Sequence, residues 1–334
     1  MRQAALRSFA ARTVATAVTA FTLVTAQAGI LPGPLVTTQW LADNLDKVQI
    51  VEVRSNVKLF TEKPEFETDA KTGKKMLTEV GGHLPNARLL DMKDMRTDRT
   101  YGGLKVKYMI PEQAGFEKAI QAAGIDAGKP VVFVPVGVDV ADVDDVLRVY
   151  WQFKVYGEDD MAVLDGGLAT WLVEGRAYST EPVTAKAGTW RSVADRSAQY
   201  FATSEDVTKA IGDKSATLID SRDSKQFHGL VKRDYVYAPG HLDGAKLYGT
   251  DLLLKSSGGA VKFMSAATYK GLMSAQGIDA SAPAITYCNS GHLSSGPWFV
   301  ASEILGNKSA KLYDGSLHQW TLEKRPVVGA VPLN

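Results

Sequence analysis

An internal duplication constrains the fold of this chain more than any other feature of the sequence. Four short segments of the first half recur in the second half in the same order. IVEVRS at residue 50 pairs with LIDSRD at residue 218, and GHL at residue 82 recurs at residue 240. GIDAGKP at residue 124 pairs with GIDASAP at residue 277, and LDGGLATW at residue 164 pairs with YDGSLHQW at residue 313. Repeats that keep their order indicate a duplicated structural unit. We therefore predict one domain at residues 35–178, a linker at 179–199 and a second domain at 200–334.

Each half alternates short apolar runs with helical patterns. The runs IVEV and VVFV in the first half, and LIDS and AITY in the second, have the length of buried strands. The segments FEKAIQAAGI and YKGLMSAQGI separate them and read as helices. Strands that alternate with helices favour a parallel sheet. The predicted fold class is α/β, twice, with each domain a parallel sheet covered by helices on both faces.

The first 28 residues have the pattern of a secretory signal peptide. Three arginines, at positions 2, 7 and 12, precede the apolar run VATAVTAFTLVTA, which ends in Ala26-Gln27-Ala28. This order of a basic region, an apolar run and small residues predicts export, with cleavage after Ala28. An uncleaved anchor is the alternative, but the run is shorter than the roughly 20 residues that a membrane span needs. We expect a periplasmic protein without stable membrane association after cleavage.

The charge of the chain argues against nucleic acid as a partner. The formal net charge is +1, and loss of the three N-terminal arginines leaves 35 basic against 37 acidic residues. Binding to nucleic acid or to anionic lipid relies on an excess of positive charge. A near-neutral mature protein has none, so neither partner is expected.

The chain contains a single cysteine, Cys288, in the segment ITYCNSGHLSSGPW. Cysteines of exported proteins usually pair, so an unpaired one is either a small core residue or a reactive thiol. Cys288 follows the strand AITY and precedes a helix for which Ser294 or Ser295 is the expected N-cap. Ligands of α/β proteins bind at the carboxyl ends of strands, and helix N-termini stabilise anions. The polar residues after the cysteine favour a reactive thiol with a substantial thiolate fraction.

The duplication separates architectural residues from candidates for chemistry. His83 and His241 share the Gly-His-Leu turn, where a hydrogen bond to nearby backbone is a simpler role than general base. Cys288, in contrast, aligns with Pro135, which has neither a nucleophile nor a backbone N–H. Chemistry is therefore expected in the second half.

Several other chemistries lack their signatures. Five scattered histidines and one cysteine show no metal-ligand spacing, so neither a metal nor a cofactor is expected. There is no Cys-x-x-Cys motif of thiol–disulfide oxidoreductases. A cysteine phosphatase needs an arginine where Ser294 stands. A Cys–His protease stays open, because a partner histidine could be His228, His241 or His318.

The ordered set of motifs resembles the tandem-domain rhodanese-like sulfurtransferases, of the exported bacterial type. It comprises the acidic-x-Arg and Gly-His-Leu elements of both halves, the loop Cys-x-x-Gly-x-x-Ser at 288–294 and the Asp-Gly segments that lead to a tryptophan. The resemblance covers nearly all of the predicted mature chain. In this family the first domain commonly lacks the cysteine, in line with Pro135.

The resemblance implies sulfur transfer by ping-pong covalent catalysis. The Cys288 thiolate would take the outer sulfur of thiosulfate or 3-mercaptopyruvate and pass it from a persulfide to cyanide, a small thiol or a protein thiol. The substrate-binding residues implied are those of the loop, namely Asn289, Ser290, Gly291, His292, Leu293 and Ser294. The loop lacks the basic residues of classical thiosulfate enzymes. Charge for the donor could come from four second-half residues, His292, His228, Lys232 and Arg233.

A sulfur or selenium carrier without turnover is the alternative reading. Cys288 would then load once and deliver to a protein partner docked on the first half. The acidic stretch at 139–145 and the segment at 92–108 are candidate docking surfaces. If neither segment serves docking, we expect residues 139–145 to form a solvated helix face and residues 92–108 to form a domain-packing loop.

Overall fold

The computed structural model describes residues 29–73 and 75–332. The signal peptide predicted for residues 1–28 lies outside the described residues. Within the described part of the chain, no helix is both long and apolar enough to cross a bilayer.

The described part of the first half, residues 29–73 and 75 onward, contains nine strands and four α-helices. The strands are β1 (Leu35–Val36), β2 (Gln49–Arg54), β3 (Glu65–Thr68), β4 (Lys75–Glu79), β5 (Arg88–Asp91), β6 (Thr97–Tyr101), β7 (Leu104–Met109), β8 (Val131–Val134) and β9 (Met161–Leu164). The helices are α1 (Thr38–Ala42), α2 (Gln113–Ala122), α3 (Val140–Val155) and α4 (Gly167–Val173), with 3-10 segments at Val57–Thr61 and Met92–Met95.

The second half contains seven strands and six α-helices. The strands are β10 (Phe201–Ala202), β11 (Thr217–Asp220), β12 (Lys246–Leu247), β13 (Lys255–Ser257), β14 (Ala260–Lys262), β15 (Ala284–Tyr287) and β16 (Ala310–Tyr313). The helices are α5 (Ser197–Tyr200), α6 (Ser204–Asp213), α7 (Ser224–Phe227), α8 (Ala266–Ala275), α9 (Ser295–Phe299) and α10 (Ser316–Leu322). A 3-10 segment spans Thr250–Leu252, and α9 continues as a π-helical turn at Val300–Ile304.

The two halves have parallel sheets of the same topology. The strand order is β1-β9-β8-β2-β5 in the first sheet and β10-β16-β15-β11-β12 in the second, with every pair parallel. Every residue of β8, β9 and β15 is buried, as expected of strands covered on both faces. The prediction of a duplicated α/β fold is confirmed. Three antiparallel hairpins accompany the sheets: β6–β7 and β13–β14 occupy corresponding places in the two halves, before α2 and α8, whereas β3–β4 lies in the first half.

The histidines of the Gly-His-Leu turns are structural. Nδ1 of His83 lies 2.8 Å from the carbonyl oxygen of Leu84, and its Nε2 lies 3.0 Å from that of Glu181. Nδ1 of His241 is 2.8 Å from the carbonyl oxygen of Phe227. Each ring is thus held by backbone, as the comparison of the halves predicts.

The two halves pack around helix α3. Every residue from Val143 to Val155 is buried, because one side of α3 covers the first sheet and the other meets α9 of the second half. The Tyr150 ring lies edge-on to Phe299, with ring centroids 5.0 Å apart. A single cluster of buried apolar side chains runs through both halves. The expectation that residues 139–145 form a solvated helix face or a docking surface is wrong for Asp144 and Asp145, which are buried in this interface.

Candidate active site

Cys288 lies at the carboxyl end of β15, in the middle of the second sheet. Its side chain is free and only 1% exposed. Pro135 follows β8 at the same position of the first sheet. The backbone repeats there as well, since Leu317 donates to the Cys288 carbonyl at 3.2 Å and Leu168 donates to the Pro135 carbonyl at 2.9 Å.

The loop after Cys288 is folded around the hydroxyl of Ser316. The N–H groups of Cys288 and Gly291 both donate to Ser316 Oγ at 3.0 Å, and this hydroxyl donates to the Tyr313 carbonyl at 2.7 Å. Ser316 has a φ of +49°, a left-handed conformation that favours glycine, and the first half has Gly167 there. The second half therefore keeps a side chain where the backbone disfavours one. Ser316 is not among the residues predicted from the sequence, although the contrast between DGGL and DGSL contains the signal.

Most amides of the loop remain free. Five backbone N–H groups of the loop have no protein acceptor among the described residues. They are those of Asn289, Ser290, His292, Leu293 and Ser294. Ser294 is the N-cap of α9, but its side chain makes no capping bond. Instead, Ser295 donates its hydroxyl to the His292 carbonyl at 2.5 Å. Free amides around a helix N-terminus can bind an anionic sulfur.

The remaining loop side chains differ in exposure. Asn289 and Ser290 are buried, and the Asn289 amide donates to Gln226 Oε1 at 2.8 Å. Ser294 is fully buried. His292 and Leu293 are half-buried and form the solvent side of the loop.

The positive charge at the loop comes from the first domain. Arg96, before β6, donates from Nη2 to both the carbonyl and the hydroxyl of Ser290, each at 2.9 Å. Arg148 of α3 donates to the Gly291 carbonyl at 3.0 Å and pairs with Asp314 at 2.5 Å. Burial lowers the pKa of Arg96, and the positive charge of Arg148 acts in the same direction, so the two guanidiniums repel each other.

Three residues expected to supply this charge lie elsewhere. His228, Lys232 and Arg233 are exposed, and no hydrogen bond or ion pair among the described residues joins them to the loop. Of the second-half candidates, the structure places only His292 at the site. Sequence reasoning missed Arg96 and Arg148 because they belong to the other domain. The segment at 92–108 was nevertheless interpreted correctly as a domain-packing loop, and it contains Arg96.

Helix α3 also brings two carboxyl groups to the interface. Asp144 is fully buried, its carboxyl faces the backbone N–H of Gly296, and no side chain among the described residues donates to it. A Cβ on Gly296 of α9 would lie 2.8 Å from Asp144 Oδ1, so the carboxyl packs on the active-site helix. Burial, reinforced by the negative charge of Cys288, raises the pKa of Asp144 well above its usual range. Burial thus favours the neutral form of the Asp144 carboxyl.

We expect Asp144→Asn to stabilise the protein at neutral and alkaline pH. A carboxyl whose pKa is raised by folding adds stability below its unfolded value and loses that contribution as the pH rises. Each pKa unit by which folding raises the carboxyl corresponds to about 1.4 kcal/mol of stability lost at high pH. An amide does not ionise and avoids this loss. In urea unfolding measured from about pH 5 to about pH 9, the free energy of unfolding should decline less with rising pH in the variant than in the wild type. An unchanged decline would contradict the buried neutral carboxyl.

Asp145 holds the ring of His292. Asp145 Oδ1 lies 3.2 Å from His292 Nε2, and its Oδ2 accepts the Ser55 hydroxyl at 2.6 Å. Nδ1 of His292 is buried and has no hydrogen-bond partner among the described residues. Burial lowers the pKa of His292; Asp145 acts in the opposite direction, and Arg96 and Arg148 add to the lowering. The imidazole is therefore neutral at neutral pH.

A cleft in the first domain lies beside this group of residues. Its volume is about 650 Å³, and its lining includes Ser55, Arg96 and Tyr108. Ser55 bonds the carboxylate that holds His292, and Arg96 bonds the loop. No cluster of three or more potential metal ligands occurs among residues 29–73 and 75–332.

Comparisons with known proteins identify the family. A family model described as a rhodanese-like domain matches residues 203–323, which include Cys288. A putative thiosulfate sulfurtransferase of Saccharopolyspora erythraea is 30% identical over 293 residues, covering 86% of this chain and 92% of the relative. The chain belongs to the rhodanese-like sulfurtransferases.

Two further comparisons agree with this membership. The sulfurtransferase is 25% identical over 302 residues to the thiosulfate sulfurtransferase of Bos taurus, covering 87% of this chain and 93% of the relative. The crystal structure of SseA, a 3-mercaptopyruvate sulfotransferase from Escherichia coli, superposes with a TM-score of 0.66 at 22% identity. That match covers 85% of this chain and 98% of SseA, and it shows that the duplicated fold is shared.

Proposed function

We propose that this sulfurtransferase moves a sulfane sulfur from thiosulfate or 3-mercaptopyruvate to a thiol or to cyanide, through a persulfide on Cys288. The observation that carries the proposal is the loop at 288–294, in which a lone buried thiol is surrounded by free amides. The names of the relatives, thiosulfate sulfurtransferase and 3-mercaptopyruvate sulfotransferase, suggest the two donors.

The first half-reaction loads the cysteine. The Cys288 thiolate attacks the outer sulfur of the donor, a new S–S bond forms, and the bond from that sulfur to the donor breaks with its electron pair leaving on the donor. Thiosulfate leaves as sulfite. 3-Mercaptopyruvate leaves as the enolate of pyruvate, which takes up a proton. The amides of the loop are suited to hold the negative charge of the persulfide.

The second half-reaction returns the free thiolate. An acceptor attacks the outer sulfur of the persulfide, the S–S bond breaks, and its electron pair stays on Cys288 Sγ. The chain has no second cysteine to discharge the persulfide internally. The sulfur therefore waits for an external acceptor.

A carrier without turnover is the second candidate. A sulfur carrier protein of Thermus thermophilus, TtuD, is 27% identical over 302 residues, covering 86% of this chain and 94% of that protein. A carrier has to present its sulfur to a macromolecule, whereas Cys288 is 1% exposed and lies at a domain interface. This burial favours small donors and acceptors.

Turnover separates the two candidates. The enzyme should form thiocyanate from cyanide and thiosulfate, or pyruvate from 3-mercaptopyruvate with a thiol acceptor, in large molar excess over protein. Cys288→Ser should form none. A carrier would release at most one equivalent of sulfur per chain, and that result would overturn the proposed catalytic function.

We expect Arg96→Met to weaken use of an anionic donor. Arg96 holds Ser290 and contributes positive charge beside the loop. Hydrogen bonds to charged groups are worth about 1.5–3 kcal/mol, which corresponds to a loss of roughly 10- to 150-fold in kcat/KM. Steady-state kinetics with thiosulfate should show the loss, mainly as a higher KM. Arg99→Met is the matched control, because Arg99 pairs only loosely with Glu112 at 3.8 Å. Equal kinetics in both variants would contradict this role of Arg96.

We also propose export of the mature chain to the periplasm. The basic and apolar pattern of residues 1–28 supports this location. Intact mass of protein from the periplasmic fraction should correspond to a chain that begins at Gly29. A full-length chain in the membrane fraction would instead indicate an uncleaved anchor.

A further inference from the structure

We propose that His292, held by Asp145 of the first domain, is the general base that takes the proton from a thiol acceptor. The inference rests on the proposed function, because it assigns a residue to the second half-reaction. It differs from the role of donor-binding charge that the sequence suggested for His292. The structure supports it in three steps.

The first step is the tautomer of the ring. Asp145 Oδ1 lies 3.2 Å from His292 Nε2, and a carboxylate can only accept from that nitrogen. Nε2 therefore carries the hydrogen, and Nδ1 of the neutral ring has a free lone pair. Asp145 is itself fixed by the Ser55 hydroxyl at 2.6 Å. A nitrogen base oriented by a carboxylate through its other nitrogen is the arrangement that activates nucleophiles in many enzymes.

The second step is the location of the free nitrogen. Cys288 and Gly291 donate to the same hydroxyl, Ser316 Oγ, so the chain returns to Cys288 just before His292. Nδ1 is buried and has no partner among the described residues. A buried polar atom without a partner costs free energy, which a function in the reaction would explain.

The third step is access. His292 and Leu293 are the half-buried residues of the loop, and the cleft lined by Ser55 and Arg96 adjoins the dyad. We assign this side of the loop as the side from which the acceptor approaches the imidazole.

The proposed step balances. The thiol R–SH gives its proton to His292 Nδ1 while its sulfur attacks the outer sulfur of the Cys288 persulfide. The new bond joins R–S to that sulfur, the S–S bond to Cys288 breaks, and its electron pair stays on Cys288 Sγ. The imidazolium then passes the proton to solvent. The products are the persulfide of the acceptor and the Cys288 thiolate, without any external oxidant or reductant.

The test is single-turnover discharge of protein that thiosulfate has loaded, with 2-mercaptoethanol or sulfite as acceptor. Sulfite above neutral pH has no proton to lose, so it does not need a base. His292→Gln keeps a donor for Asp145 but removes the base. Thiol discharge should fall about 10²-fold in this variant, with loading and sulfite discharge unchanged. His241→Gln is the control, because its ring is held by the Phe227 carbonyl away from the loop, and it should change neither rate.

Asp145→Asn tests the positioning role. The charged groups that act on the imidazole are Asp145, which raises its pKa, and Arg96 and Arg148, which lower it. Loss of the Asp145 charge should therefore move the acid limb of thiol discharge to lower pH, without moving any limb of sulfite discharge.

Three outcomes would overturn the inference. Equal losses with thiol and sulfite in His292→Gln would mean that His292 only shapes the loop. No loss with either acceptor would mean that the proton leaves by another route. A wild type that takes up no sulfur from any donor would refute the proposed function itself, and with it the reaction that the base serves.

Discussion

Arg148→Met is expected to destabilise the protein by about 3–5 kcal/mol, because it leaves a buried charge without its partner. The side chains of Arg148 and Asp314 are both fully buried, and their ion pair at 2.5 Å joins α3 of the first domain to the second. Among the described residues, Asp314 would keep only the Ile110 amide as a donor, at 2.7 Å. The variant also removes the hydrogen bond to the Gly291 carbonyl at 3.0 Å, so the loop should lose order. We expect a large decrease in the free energy of unfolding and a loss of sulfur transfer.

Urea unfolding of Arg148→Met can be compared with a matched surface pair. Arg196 and Asp159 form an ion pair at 2.7 Å, with side chains 28% and 56% exposed. Arg196→Met should cost less than about 1 kcal/mol. The double variant Arg148→Met with Asp314→Leu should recover most of the loss, because no unpaired charge remains. A single variant as stable as Arg196→Met would contradict the buried domain-bridging pair.

Ser316→Gly is expected to reduce sulfur transfer by about 10²-fold, the effect of a small misplacement of reacting groups. The substitution leaves the amides of Cys288 and Gly291 without their acceptor, at about 1–3 kcal/mol for each unsatisfied group. Relief of the left-handed backbone at φ +49° offsets about 1–2 kcal/mol of that cost. The two unsatisfied amides outweigh this relief, so the free energy of unfolding should fall by roughly 0–5 kcal/mol, and the loop loses the group that folds it back toward Cys288.

The test measures kcat/KM with thiosulfate and the free energy of unfolding in urea on the same variant. Ser316→Thr is the control, because it keeps the hydroxyl at Oγ. It should lose less activity than Ser316→Gly despite greater backbone strain. Full activity in Ser316→Gly would show that the loop is positioned without the hydroxyl.

The fold, and the position of the lone thiol at the end of a strand, could be predicted from local features of the sequence. Ordered repeats and short apolar runs indicate two copies of a parallel α/β unit, and the structure shows the same strand order twice. Cys288 stands out because it replaces Pro135 at the end of an equivalent strand. The roles of His83 and His241 followed from the same comparison of halves.

The residues that surround Cys288 from the first domain could not be predicted in this way. Arg96 lies 194 positions from Ser290 in the chain, and Arg148 lies 143 positions from Gly291. Their approach depends on how the two domains pack, which neither periodicity nor motif spacing encodes. For the same reason, the sequence did not predict that acidic residues at the start of α3 are buried. Carboxyl groups usually indicate a solvated face, whereas Asp144 and Asp145 are buried against the second domain.

Intact mass of the mature protein tests the central claim most directly. Wild type and Cys288→Ser would be measured after thiosulfate or 3-mercaptopyruvate, and again after cyanide. Our account predicts that wild type gains one sulfur atom with at least one donor and loses it to cyanide, while Cys288→Ser gains none. Unchanged mass of the wild type with both donors, or the same gain in Cys288→Ser, would contradict a persulfide on Cys288.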